Sequence, residues 1–149
     1  MARRLGRRLA DDTGSTLPLV IFYGFLALAL VLIVAAATSL YLERKRLFTL
    51  ADGAALVGAE SFQLDAVSLT QHGPRPVLHP GEVHAAVASY LAGNPISQFD
   101  GLVVERATTV DGESATVTVS AVWHPPVVTV FVPEGMRIEA TAVARSVFG

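Results

Sequence analysis

From Leu17 to Leu42 the sequence reads LPLVIFYGFLALALVLIVAAATSLYL, with no Asp, Glu, Lys, Arg or His and no polar stripe. A helix needs about 20 apolar residues to cross a hydrocarbon core. In lipid a single segment satisfies its own backbone hydrogen bonds only as a helix. A helix packed on a soluble core would instead alternate apolar and polar faces. The pattern therefore predicts a transmembrane helix over residues 15–42, with Pro18 near its start, where a missing N–H costs little.

After Glu43-Arg44-Lys45-Arg46, whose long basic side chains suit emergence from a bilayer, the pattern becomes amphipathic without a helix breaker. Leu47, Leu50, Ala51, Ala54 and Val57 recur at helical spacing, while Asp52, Glu60 and Gln63 fall elsewhere on the wheel. The sequence predicts one continuous helix from about Ser15 to Ser61, with an amphipathic extension assigned to residues 43–66. Gly53 and Gly58 weaken that extension by up to about 1 kcal/mol each relative to alanine, so it depends on packing.

Residues 67–80 hold Gly73, Pro74, Pro76 and Pro80 and read as a loop. Gly81 to Leu91 reads as a short helix, stopped by Gly93-Asn94-Pro95. From Leu102 the period changes to two. Ala115, Val117, Val119, Ala121 and Trp123 share one face of a strand, and Thr116, Thr118 and Ser120 the other. Asp111-Gly112 carries the signal of a two-residue hairpin turn. With VVTVFV and a last strand alternating Met136, Ile138, Ala140, Ala142 and Ala144, the prediction is a small antiparallel sheet of about four strands. The fold class is α+β: a long N-terminal transmembrane helix, its amphipathic continuation, and a sheet domain over residues 67–149 on which that continuation packs.

Charge sharpens this layout. Up to Arg46 seven basic residues face three acidic ones; beyond it four face ten, within a net charge of −2. The basic residues thus flank the apolar run, where anionic headgroups attract them, and the acidic remainder is a poor match for nucleic acid. The four arginines of residues 1–14 outnumber the three basic residues after the run. That surplus favours a cytoplasmic basic leader, an extracytoplasmic C-terminal domain and a single pass through the inner membrane. Arg7-Arg8 suggests a twin-arginine signal, but Asp11-Asp12 follows where an apolar region belongs. Ala35-Ala36-Ala37 has the small-x-small form of a signal-peptidase site, yet the apolar stretch overruns the usual length of about 7–15 residues, which favours an anchor.

The candidate chemistry is sparse. With no cysteine there is no disulfide, thiolate nucleophile or cysteine metal site. His79 and His84 stand five apart, not the four of a zinc-binding helix, and His72 and His124 add no further ligand pattern. No nucleophile motif or phosphate-cradling glycine loop occurs. The sequence therefore predicts no enzyme, no cofactor and no metal. Gly24, Ala35 and Ser39 along the apolar run offer close helix approach. With Leu47, Leu50, Ala51, Asp52 and Ala54 they form the expected helix-association face, through which the chain would join homo- or hetero-oligomers.

Three stretches resemble known proteins. Gly14-Ser15-Thr16-Leu17-Pro18-Leu19 is similar to the glycine-led start of type IV pilin-like proteins. Leu50-Ala51-Asp52-Gly53-Ala54-Ala55-Leu56 resembles the segment after the anchor in TadE/TadG-like proteins of the tight-adherence (Flp) pilus. The closing VTVSAVWHPPVVTVFVPEGMRIEATAVARS is similar to the β-rich end of that family; Phe62 to Gly101 carries no resemblance. The resemblance implies a pilin-like, membrane-anchored component that builds a pilus or related secretion filament, with the lipid bilayer, other pilin-like subunits and the assembly platform as partners. It also implies peptidase cleavage after Gly14, leaving Ser15 as the new N-terminus. Leu19 stands where pilins of this class carry a glutamate, so the resemblance leans toward TadG-like members, which lack it and act as assembly factors. The rival expectation is a membrane-tethered extracytoplasmic binding or sensor domain without enzymatic activity.

Overall fold

The computed structural model describes residues 16–61, 68–70, 73–75, 77–94, 98–126 and 133–146. Gly14 and Ser15, the expected processing site, and the VVTVFV strand at residues 127–132 lie outside them. The chain divides into two compact units, Met1–Val34 and Ala35–Gly149.

Helix α1 runs without interruption from Leu17 to Ala59. Its first bond, Val20 N–H to Thr16 O at 3.0 Å, places Pro18 in the opening turn, where a ring nitrogen breaks nothing. At the far end Ser61 closes the helix twice on Gly58 O, from its hydroxyl at 2.7 Å and its amide at 3.3 Å. Those bonds satisfy a carbonyl that would otherwise be orphaned.

Within the unit Ala35–Gly149, one hydrophobic core joins α1, α2 and the sheet. Leu47, Leu50, Ala51, Ala54, Ala55 and Ala59 of α1 are sealed in it. Helix α2 (Pro80–Gly93) starts on Pro80 after His79 and turns Val83, Val87 and Leu91 into the same core. The opposite wall is β4 (Ser114–Trp123), the central strand of a sheet ordered β3-β4-β5, with β3 at Val103–Thr109 and β5 at Met136–Arg145. Both pairings are antiparallel. Ala115, Val117, Val119, Ala121 and Trp123 point inward as their alternation predicts, joined from β5 by Ile138, Ala140 and Ala142. Alanine dominates the contact faces of α1 and β5 and keeps the layers close. Gly58 lets them approach: a methyl group there would meet Ala115 Cβ and Val83 Cγ1 at 3.2 Å.

The structure departs from expectation in two places, the loop before α2 and the turn between β3 and β4. The stretch read as a loop contains a separate hairpin, β1 (Ser68–Thr70) with β2 (Gly73–Arg75), paired Thr70 to Gly73. Three-residue strands are too short to display a period, and the prolines mask what remains. The described sheet has three strands, the fourth expected one lying outside the described residues. The β3–β4 hairpin forms around Asp111-Gly112, but with a longer loop than two residues, the last aligned pair being Thr109 and Ala115. Asp111 Oδ1 accepts the amides of Glu113 at 2.9 Å and Ser114 at 2.7 Å, and Gly112 takes φ +72°. An aspartate that organises its own turn in this way can sustain a longer loop.

Register also shifts between Val104 and Arg106, leaving Glu105 as the extra residue of a bulge. Glu105 Oε1 accepts the Ser120 hydroxyl at 2.5 Å, while Arg137 Nη1 donates to the same hydroxyl at 2.7 Å. Thr118 and Thr141 pair their hydroxyls at 2.9 Å. Side chains on the face away from the core thus stitch β3, β4 and β5 together.

Two outcomes test this packing. Gly58→Leu should lower stability by about 1–3 kcal/mol through overpacking, measured by thermal unfolding, whereas Gly24→Leu, with open space around it, should leave the transition unmoved. The amides of Glu113 and then Ser114, followed by the Ser114 hydroxyl, hold the Asp111 carboxyl at about 2, below its usual 3.8. Its stabilising share is therefore complete above about pH 4 and is lost as pH falls through about 2. A carboxyl NMR titration should find that midpoint, and Asp111→Asn should abolish the hairpin's pH response in that window.

Candidate association surface

The first half of α1 is apolar and uncovered. Phe25 is 72% exposed and Val20 65%, with Leu17, Ile21, Phe22, Leu30, Val31 and Ile33 all above 60% except where Phe22 sits at that figure. Within α1 an 18-residue window reaches a mean hydropathy of 2.9 with no residue buried, which makes the helix a candidate single membrane span by length and composition. Exposed apolar area of this extent marks a surface meant for lipid or protein.

The expected association face does not stay together. Gly24, Ala35 and Asp52 are exposed, but Leu47, Leu50, Ala51 and Ala54 are at most 1% exposed and belong to the chain's own core. Their spacing is that of an interior stripe, and here the covering partner is the sheet and α2 of the same chain. Ser39 is half-buried and accepts the indole N–H of Trp123 at 3.3 Å. That bond ties the end of β4 to α1 inside the run that the sequence assigns to lipid.

Two features escape the apolar-polar pattern. The first is a groove of about 400 Å³ lined by Tyr41, Arg44, Lys45 and Phe48 of α1 and by Glu139, Ala140 and Thr141 of β5. Its helix residues are spaced three and four apart, so the signal was present, but an exposed aromatic-basic face reads as ordinary solvated surface. The second lies beside Trp123. His124 Nδ1 stands 3.5 Å from Asp100 Oδ2, in a polar cleft shared with Glu43 and Gln98. Arg46 stacks over Phe99 at 5.6 Å and pairs with Glu43 at 3.4 Å.

Ser120, 1% exposed, uses its hydroxyl proton on Glu105 and a lone pair on Arg137, which ties β3, β4 and β5 together. Among the described residues no three metal-capable side chains converge. His79 precedes α2 without a side-chain capping bond, and His84 is exposed; His72 lies outside the described residues.

Comparison with known proteins bears on the helix. The family model for Flp pilus-assembly TadE/G-like proteins matches residues 14–61, about a third of the chain. That span takes in the glycine-led start and the Leu50–Leu56 segment, and leaves out the β-rich end. No curated protein and no solved structure matches. Over residues 14–61, an uncovered apolar helix that passes into a core-forming stripe, the chain is similar to TadE/G-like pilus-assembly proteins.

Proposed function

We propose that the chain is a single-pass, membrane-anchored, pilin-like component that assembles a tight-adherence (Flp-type) pilus or a related secretion filament. The observation that carries the reading is the coincidence of the family match with α1, whose first half presents large apolar side chains and no charge. In water that surface would aggregate; in lipid it is solvated, and small residues such as Gly24 and Ala35 admit a second helix. Association with like subunits in this conformation uses the exposed positions of α1, because the Leu47–Ala54 stripe is committed to the core.

The proposed layout keeps residues 1–14 in the cytoplasm and the sheet domain outside. Its role is structural: the matched family serves pilus assembly, and the Ser120 cluster is a clamp between strands. Leu19, more than half exposed, presents lipid or a neighbour with an apolar side chain where a filament-forming pilin would offer a carboxylate, which supports service as an assembly factor.

A tagged full chain expressed with its native secretion machinery tests the reading. It should sediment with membranes after alkaline carbonate washing, carry an active periplasmic reporter at Gly149, and co-isolate in mild detergent with pilus platform proteins. Recovery as a lone monomer in every mild detergent would overturn the assembly role, and a reporter active only in the cytoplasm would overturn the orientation. Intact mass decides whether the chain begins at Ser15.

A further inference from the structure

The groove between α1 and β5 has the composition of a headgroup site. Arg44 and Lys45 wall one side, both exposed and neither paired with a carboxylate among the described residues. Tyr41 and Phe48, 66% and 52% exposed, supply apolar surface one turn before and after them, and Ala140 floors the groove. Glu139 and Thr141 form the β5 wall. Two cations against one carboxylate leave the groove with a net single positive charge.

Position along α1 identifies what that charge meets. The Trp123–Ser39 bond brings protein against the helix at Ser39, so the lipid-solvated run is Leu17–Thr38, about 33 Å of helix, close to the ~30 Å hydrocarbon thickness. Tyr41 follows about 4–5 Å beyond that exit, the depth at which interfacial aromatics collect. Arg44 and Lys45 start about 9–11 Å beyond it. Helical side chains lean toward the helix N-terminus, here toward the bilayer, so long basic side chains reach back into the headgroup layer.

We propose that this groove seats the headgroup of an anionic phospholipid, its phosphate on Arg44 and Lys45. The net charge of the site complements a lipid of charge −1 and gives no such advantage to a zwitterionic one. The proposal rests on the membrane-anchored reading above.

Native mass spectrometry of the detergent-solubilised full chain, titrated with dioleoyl-phosphatidylglycerol or dioleoyl-phosphatidylcholine, reads it directly. A 1:1 phosphatidylglycerol adduct should form at concentrations at least about tenfold lower than the phosphatidylcholine adduct. Arg44→Gln with Lys45→Gln should erase that preference, while Arg106→Gln, an exposed cation outside the groove, should retain it. Both variants change exposed side chains, and circular dichroism verifies their fold. Equal binding of the two lipids by the wild type would overturn the proposal. So would a preference that survives the double substitution, or a chain dimer appearing in place of the lipid adduct. Flotation with phosphatidylcholine liposomes separates the two readings: failure to float removes the anchor itself, whereas flotation without lipid preference removes the groove alone.

Discussion

A helix that carries two kinds of surface, one uncovered and apolar and one sealed into a core, is the constraint on which everything else depends. Up to Val34, α1 surrounds itself with leucine, isoleucine, valine and phenylalanine and has no protein cover. From Leu47 onward one stripe is sealed to within 1% exposure while Phe48, Asp52 and Leu56 remain outside. Nothing in the backbone marks the change, because Leu17–Ala59 keeps its hydrogen bonds throughout. The side chains alone select the environment. The outer half contains Gly53 and Gly58, poor helix formers, and it is there that burial against the sheet compensates weak propensity.

That dependence explains the make-up of the sheet. A three-stranded sheet with alanine and valine on its inner face packs tightly against a helix whose own contact face is alanine, leucine and glycine. Tyr90 closes over Gly53, and Val83 with Val87 closes over Gly58. Such contacts fit shape well but bury modest area per residue, since an alanine removes little surface from water. The outer face of the sheet then adds what the core does not: the Glu105–Ser120–Arg137 clamp, the Thr118–Thr141 pair, and the Arg145–Glu113 ion pair beside the hairpin loop. Burial of Ser120 is tolerated because both of its neighbours are charged and both are engaged.

Much of this was legible from residues alone, for reasons particular to each element. The 3.6-residue stripe of α1 and the strict alternation of Ala115 to Trp123 were long enough to fix helix, strand and inward face. The β1–β2 hairpin was not, because three residues a strand hold no period and Pro74 argues against pairing. The bulge at Glu105 left no trace, since one extra residue among exposed positions disturbs no apolar count. The burial of part of the expected association face was not legible for a related reason: small residues at helical spacing signal close approach, and they do not name what approaches. Leu47, Leu50, Ala51 and Ala54 met the same chain. The groove at Arg44 and Lys45 depends on β5, nearly a hundred residues away, and no local pattern couples the two.

The family match ends at Ser61, where α1 has just closed on Gly58. That boundary has a physical reading. Residues before it form one helix with an uncharged apolar run, a basic stretch and a stripe of small residues that packs into the core. Residues after it answer to whatever the sheet domain touches, and a sheet can keep its inner face while its outer face is rewritten. Beyond the match the sheet keeps an apolar inner face against the helices and a polar outer one. Glu105, Arg106, Thr116, Thr118, Glu139 and Thr141 line that outer face.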